Sequence, residues 1–355
     1  MVYGTSASAR QGQAQVSYLT GFLGYQDAYV VVTPDHEPIL FVQYYNHVPN
    51  ARRIAHVDVR WGGLRSIDAV ADELARHPAK RIGLVGPLPY QERDRLAARL
   101  NNTALVDVTP AFLRIRLVKS DEEIEWMRRA ASITDKALAA LVKAAVPGAT
   151  ELDLQAATAA AAIKAGGQPH FLYLSSTPMA RPDRIVPQQD LTDRRLEKGD
   201  VVFFELSSSY GGYSGQILRT LSIRSELTDQ YRQLLEVAWE AFGAIAQTIR
   251  PGASAVEVMH AGSMIEARGF TICDDLVHGY GGGYLPPVLR TQATSHAPIH
   301  DFVFEKNMTL VIQPNVVTAD GHAGVQVGEL IRVISGGIER LHASDDFRDR
   351  ARSNR

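Results

Sequence analysis

The chain has 355 residues, of which 45% are hydrophobic and 21% are charged, and its net charge is −2. This composition is that of a globular protein with one large domain or two ordinary ones. The weak charge argues against nucleic acid as a partner, because phosphate binding needs a clustered basic face. No apolar run approaches the roughly 18 residues of a membrane span, no signal-peptide pattern opens the chain, and the single cysteine, Cys273, excludes an internal disulfide. We therefore expect a cytoplasmic protein without a membrane partner.

The first part of the chain alternates β-rich and helical patterns. Residues 29–33 and 38–42 are β-rich runs joined by turn residues, and the apolar positions of residues 67–77 repeat with a helical period. A strand, a helix and a strand are then predicted at residues 81–85, 91–100 and 104–108. We expect a small α/β domain over residues 1–115.

A long helix is predicted to begin the second domain. Ser120 and Glu123 have the spacing of a capping box, and the acidic residues at 121–123 suit a helix N-terminus, where the dipole favours anions. Further helices are predicted at residues 151–165, 228–249 and 255–268, and strands at residues 171–175, 308–317 and 324–333. We expect this domain to span residues 116–343 and the charged residues 344–355 to form a frayed tail.

The stretch at residues 199–220 predicts a β-hairpin within the second domain. An apolar strand at 201–204 is followed by a polar turn at 207–209, by Gly211-Gly212 where the chain must bend, and by a returning strand. Glu205 ends the apolar run, and Gln216 lies on the returning strand, where both side chains can point into one pocket. A buried carboxylate needs a partner or a proton, so Glu205 is either a member of an ion pair or a functional group of the site.

This hairpin resembles that of the "pita-bread" family of creatinase, prolidase, aminopeptidase P and methionine aminopeptidase. The matching residues are Gly199, Asp200, Val202, Tyr210, Tyr213, Arg219 and Thr220. The start of the long helix, at residues 119–124, and the first domain, with its run at residues 18–22, are also similar to this family. The resemblance implies a mixed α/β (α+β) fold with an N-terminal creatinase-like domain and a C-terminal pita-bread domain.

The family carries five metal ligands, which are Asp, Asp, His, Glu and Glu in chain order. The matching positions of this chain hold Glu205, Gln216, His278, Gln313 and Gly328. Two divalent cations about 3.5 Å apart repel by roughly 19 kcal/mol at an effective dielectric constant of about 20. Amide side chains add no charge to offset that repulsion. We therefore predict no dinuclear metal centre and no cofactor, and a single weak metal on Glu205 and His278 stays open.

Without a metal, water must be activated by a side chain that titrates near neutral pH. His278, in a run similar to the family's His-Gly-x-Gly motif, is the candidate general acid/base, with Glu205 or Glu329 to orient it or to balance its charge. Creatinase resembles this case, because it has the fold, lacks the metals and hydrolyses a C–N bond. The resemblance implies a metal-independent hydrolase that cleaves an amide- or amidine-type C–N bond of a small polar molecule.

The matched motifs also indicate residues for substrate binding. The candidates are polar or aromatic side chains in or near the motifs, together with an arginine of the predicted loop at residues 176–198: Gln216, Gln313, Gln326, Tyr213, Arg219, Tyr280 and Arg181. An arginine there can clamp a substrate carboxylate through paired hydrogen bonds. A further active-site histidine of the family is replaced by Gln188, so creatine itself is not supported as the substrate.

Two other functions stay open. Some family members use this fold only to bind peptides or partner proteins, and the replacement of the family's Asp, Asp, Glu and Glu ligands with no new network in their place would fit a catalytically inactive binding protein. The other alternative is an Xaa-Pro-type metallopeptidase with unorthodox ligands, which metal analysis would separate from the first two. In creatinase-like dimers the small domain of one subunit reaches toward the pocket of the other, which implies a homodimer.

Overall fold

The structure is a computed structural model that describes residues 1–5, 12–24, 26–187, 190–296 and 301–343. Gln188 and the predicted tail at residues 344–355 lie outside the described residues. The chain divides into two compact units, one formed by Met1–Arg116 with Gly282–Tyr284 and the other by Leu117–Gly281 with Leu285–Arg355. None of the described helices has both the length and the apolar character needed to cross a membrane.

The first unit alternates strands and helices as the sequence predicts. Its elements are β1 (Val2–Gly4), α1 (Ala14–Thr20), β2 (Ala28–Thr33), β3 (His36–Val42), a 3-10 turn (Tyr45–His47), α2 (Val48–Ile54), β4 (Asp58–Trp61), α3 (Ser66–Ala75), β5 (Arg81–Leu84), α4 (Tyr90–Arg99), β6 (Ala104–Asp107) and α5 (Thr109–Ile115). Four strands form a sheet in the order β1-β2-β3-β4, and β5 pairs with β6. Buried apolar residues of β2, β3, α3 and α4, among them Tyr29, Phe41, Ile67 and Leu96, form one core.

The second unit is built on a large sheet. Its elements are α6 (Asp121–Ala144), α7 (Glu151–Lys164), β7 (Gln168–Pro178), β8 (Asp200–Tyr210), β9 (Tyr213–Ser222), α8 (Asp229–Thr248), α9 (Ala255–Gly262), α10 (Met264–Ala267), β10 (Phe270–Ile272), β11 (Val277–Gly281), most of β12 (Gly283–Leu289), β13 (Thr309–Ile312), β14 (Val316–Thr318), β15 (Gly328–Ile334) and β16 (Gly337–Arg340). The sheet has the order β12-β11-β13-β15-β9-β8-β7, with β16 pairing β15, and β10 pairs with β14. The predicted helix at 255–268 is interrupted at Ser263, which ends α9 and precedes α10.

Local hydrogen bonds explain where the long helix begins. The Ser120 side chain accepts from the backbone N–H of Glu123, and the Glu123 carboxylate accepts from the N–H of Ser120. These two bonds satisfy donors that a helix N-terminus leaves without partners. The predicted capping box is therefore confirmed. Beyond it, apolar residues of α6 and α7 pack against one face of β8 and β9, where Phe204, Leu206 and Ile217 lie.

The hairpin of β8 and β9 is longer than the sequence pattern predicts. Residues 207–209 pair with residues 214–216 as part of the ladder, so the predicted polar turn at 207–209 is wrong, whereas the predicted bend at Gly211-Gly212 is confirmed. The chain reverses at Gly211 and Gly212, whose φ angles are 57° and 85°. Only this pair provides the two positive φ values that a tight two-residue turn requires, so the serines before it continue the strand.

Replacing Gly211 with alanine should destabilise the hairpin. A Cβ atom at Gly211 would overlap the Trp126 ring, so we expect a loss of about 1–3 kcal/mol in the free energy of unfolding. Gly199→Ala is the matched control, because Gly199 also has a positive φ but faces open space. Urea unfolding of both variants checks this prediction, and equal losses would show that backbone strain alone decides the effect.

Candidate functional site

The candidate site lies on one face of the large sheet. The antiparallel register runs from β11 through β13, β15 and β9 to β8. Residues that stand opposite one another in neighbouring strands point to the same face, and so do alternate residues along one strand. This register places four polar side chains on one face, namely Glu205, Gln216, His278 and Gln313. They occupy four of the five positions that match the family's metal ligands.

Hydrogen bonds join these four side chains in a continuous chain. The Gln216 amide nitrogen donates to Glu205 Oε1 at 2.5 Å and to Gln313 Oε1 at 3.1 Å. The same Gln313 oxygen lies 3.2 Å from His278 Nε2. All four side chains are buried, and Glu205 is the most exposed of them at 9%. The structure therefore brings together the predicted acid–base histidine, one carboxylate and two predicted substrate-binding amides.

Both ring nitrogens of His278 face acceptors. Nε2 faces the Gln313 oxygen, and Nδ1 lies 3.1 Å from the backbone oxygen of Gly279. A neutral imidazole carries one proton, whereas an imidazolium donates from both nitrogens. The surroundings of His278 therefore provide acceptors for both N–H groups of a protonated ring.

Tyr280 adds a phenol beside the histidine. The two rings lie 5.5 Å apart, and the Tyr280 hydroxyl lies 3.4 Å from Ser207 Oγ. Burial is the main cause that raises the pKa of Tyr280 above its ordinary value. The phenol therefore remains protonated at neutral pH and can donate a hydrogen bond.

The residues at the matching positions do not fit two metal ions. The Gln216 amide presents its nitrogen, which has no lone pair for a cation, to both of its neighbours. A side chain at Gly328 would overlap the backbone oxygen of Ile312. Within the part of the chain that the structure describes, no three His, Cys, Asp or Glu side chains form a group that could hold a metal ion. One carboxylate and one imidazole cannot balance two divalent charges.

Glu329 and Arg219 lie on the opposite face of the sheet. Glu329 stands opposite Ile312 in β13 and Ile217 in β9, so its side chain points away from the face of His278. Arg219 Nη2 donates to Glu329 Oε2 at 2.7 Å, and Arg340 binds the same carboxylate. This placement corrects the expectations that Glu329 orients the histidine and that Arg219 binds substrate.

The electrostatics of Glu329 support a structural role. Burial tends to raise the pKa of this carboxyl, but the hydrogen bond from Arg340 and the charge of Arg219 outweigh it and lower the pKa to about 2. Glu329 therefore stays ionised at neutral pH and exchanges no proton there. It belongs to a buried ion pair.

Two other predicted substrate-binding residues lie outside the hydrogen-bonded chain. The Tyr213 hydroxyl donates to Glu123 at the start of α6, at 2.8 Å. Arg181 is exposed in the turn after β7, and its side chain has no hydrogen bond or ion pair with the described residues. The structure therefore assigns Tyr213 to helix packing and shows no contact that links Arg181 to His278.

Sequence reasoning missed two residues on the face of the site. Ser207 lies two residues after Glu205, and Asn315 lies two residues after Gln313. Both follow the period-two alternation that places strand residues on one face. That alternation was available from the sequence, although the predicted turn at 207–209 concealed the position of Ser207.

Comparisons with known proteins agree with this architecture. The model of "Metallopeptidase family M24" matches residues 125–335, and that of "Creatinase/Prolidase N-terminal domain" matches residues 7–118. The chain is 25% identical to the Xaa-Pro dipeptidase of Pyrococcus furiosus over 264 residues, which is 73% of each chain. It is 26% identical to the Xaa-Pro dipeptidase of Pyrococcus horikoshii over 266 residues, which cover 74% of this chain and 73% of that protein.

Solved structures show the same fold. The prolidase from Pyrococcus horikoshii OT3 superposes with a TM-score of 0.83 at 21% identity, covering 97% of this chain and 94% of that chain. The X-Pro aminopeptidase from Thermotoga maritima MSB8 superposes with a TM-score of 0.81 at 20% identity, covering 96% and 92%. The predicted fold, with an N-terminal creatinase-like domain and a C-terminal pita-bread domain, is thereby confirmed. Since the family match spans more than half of the chain, the protein belongs to Metallopeptidase family M24.

Proposed function

We propose that this protein is a hydrolase that cleaves an amide- or amidine-type C–N bond of a small polar molecule without a two-metal centre. One observation carries the proposal. The positions that match the family's metal ligands hold a continuous hydrogen-bonded chain from Glu205 through Gln216 and Gln313 to His278. Such a chain provides one group for proton transfer and one carboxylate, but not the charge that two metal ions need.

In the proposed reaction His278 acts as the general acid/base. It removes a proton from water as the water oxygen attacks the substrate carbon, and it returns the proton to the departing nitrogen. The Gln313 oxygen accepts from the protonated ring, while Gln216 connects Gln313 to the negative charge of Glu205. Tyr280, whose phenol stays protonated, is placed to donate to charge that develops on the substrate.

A second candidate function is an Xaa-Pro-type metallopeptidase. The observation that favours it is the set of relatives, several of which are named Xaa-Pro dipeptidase or prolidase. Against it stands the donor set, in which two amides and a glycine replace three acidic ligands. An ion held by Glu205 and His278 alone would have few ligands and little compensating charge.

Turnover measurements with and without metal test the two candidates. The protein, dialysed against a chelator, is assayed with a primary amide, an amidine and an Xaa-Pro dipeptide, and then again with Mn²⁺ added. The proposal predicts turnover of an amide or amidine that Mn²⁺ does not increase. Xaa-Pro hydrolysis that appears only with Mn²⁺ would contradict it and support the metallopeptidase. The absence of turnover under all conditions would favour the catalytically inactive binding protein.

A further inference from the structure

A second pair of buried amides extends the candidate site. The antiparallel pairing of β13 with β15 extends past the ends of both strands. The isolated bridge between Val317 and Gly324 follows the same register as the pairs within the two strands. That register sets Asn315 opposite Gln326, on the same face as Gln313. Asn315 is 0% exposed and Gln326 is 2% exposed. Two buried amide side chains therefore occupy opposite positions of neighbouring segments, beside the hydrogen-bonded chain.

One polar atom of each amide has no hydrogen-bond partner within the part of the chain that the structure describes. The Asn315 amide nitrogen donates to Asp274 Oδ2 at 3.3 Å, which leaves Asn315 Oδ1 as an acceptor. This oxygen and Gln326 Nε2 are buried and form no hydrogen bond with the described residues. Buried polar atoms without partners are costly and uncommon in folded proteins. An unpaired acceptor opposite an unpaired donor is the arrangement expected where a ligand supplies both missing bonds.

Asp274 interacts both with Asn315 and with His278. Its half-buried carboxyl accepts from the backbone N–H of Asp275 at 2.9 Å. Burial, followed by a side-chain hydrogen bond with Asp275 and the charge of that residue, raises the pKa of Asp274 to about 7, while the backbone N–H of Asp275 and the charge of His278 lower it. Asp274 therefore lies within electrostatic reach of His278 and also holds Asn315 in place.

We infer that Asn315 and Gln326 form a subsite for a cis-amide edge, as found in a carboxamide, a ureido group or a lactam. The ligand's carbonyl oxygen accepts from Gln326 Nε2, and its N–H donates to Asn315 Oδ1. This inference rests on the proposed function, since it names the class of substrate for the same site. It also limits that class, because only some amides carry both groups on one edge.

The geometry of amides makes the inference selective. A primary amide or ureido group presents C=O and N–H side by side, so both bonds form at once. A trans secondary amide directs the two groups to opposite sides, and the bond before proline has no N–H. Neither of these completes the pair. The subsite therefore favours a chemical class different from the substrates that the names of the Xaa-Pro relatives indicate.

The test uses Gln326→Met, which keeps the side-chain length and removes the amide. Binding of N-carbamoylglycine, a ureido probe, is followed by ligand-observed NMR with the full-length protein, with N-acetylglycine as the trans-amide comparison. We expect the ureido probe to bind the wild type, and Gln326→Met to weaken this binding roughly tenfold to a hundredfold. We expect little binding of N-acetylglycine to either protein.

Thermal unfolding without ligand separates a binding role from a structural one. Gln326→Met removes a donor that has no partner among the described residues, so its melting temperature should equal or exceed that of the wild type. The matched control is Gln216→Met, which removes an amide with two partners and should lower the melting temperature. A lower melting temperature for Gln326→Met would overturn the inference, as would absent or unchanged binding of the ureido probe. Retained binding without any turnover would overturn the proposed hydrolysis and leave the subsite intact.

Discussion

Replacing His278 with glutamine is expected to lower kcat by about 10²–10⁴-fold while the protein remains folded. The magnitude is that of losing one general acid/base. Glutamine can still donate to the Gln313 oxygen, so the hydrogen-bonded chain is preserved and only proton transfer is lost. His278→Ala should lose as much activity but should also be less stable, because it leaves Gln313 without one of its donors.

The measurement is kcat for both variants beside their melting temperatures. Equal losses of activity with unequal stability would show that proton transfer, and not packing, is what His278 supplies. His322→Ala serves as the control, since the His322 side chain is 76% exposed and its ion-pair partner is Asp320, outside the hydrogen-bonded chain. A Gln variant that keeps more than a tenth of the wild-type kcat would contradict the assignment of His278.

Replacing Glu329 with glutamine is expected to destabilise the protein by about 3–5 kcal/mol, the usual result of removing one partner from a buried ion pair. Its partner, Arg219, has a side chain that is only 3% exposed, so the remaining charge would be buried without compensation. The double variant Arg219→Met with Glu329→Leu should recover a large part of this loss, because it removes the two deeply buried charges together and leaves only Arg340, whose side chain is 27% exposed.

Urea unfolding as a function of pH checks the same ion pair. The ordinary pKa of a glutamate carboxyl is 4.5, and that of Glu329 in the folded protein is lowered to about 2. A group whose pKa is lowered on folding stabilises the protein above its unfolded pKa, and that stability disappears as the pH falls toward the folded pKa. The wild type should therefore lose this contribution between about pH 4.5 and 2, and Glu329→Gln should not. If Glu329→Gln keeps its stability and loses only activity, Glu329 assists His278 in catalysis and the structural assignment is wrong.

The fold could be predicted from local signals to a large extent. The capping box of Ser120 and Glu123 marks the start of α6, and period-two and helical patterns mark most of the first unit, because both depend on neighbouring residues. The bend at Gly211-Gly212 could be predicted, because glycines allow the positive φ angles of a tight turn, but the three serines before it also resemble a turn and were wrongly assigned to it. Serines in a buried ladder reflect tertiary packing, which outweighs local preference.

The site was harder to predict, because it depends on pairing between distant strands. Motif matching placed Glu205, Gln216, His278 and Gln313 together, and the structure agrees. The position of Glu329 required the register of β15 against β13 and β9, which no local pattern encodes. Asn315 had no matched motif, and only its alternation with Gln313 connected it to the site. The small-molecule substrate, the homodimer and the cytoplasmic location stay predictions.

The measurement that tests the central claim most directly is the metal content of the purified protein. The protein is incubated with excess Mn²⁺ or Zn²⁺, separated from free ions by gel filtration, and analysed for bound metal. The donor set of one carboxylate, one imidazole and two amides predicts well under one equivalent of either metal. Nearly two equivalents, together with activity that a chelator removes, would contradict the account and establish a two-metal peptidase with unusual ligands.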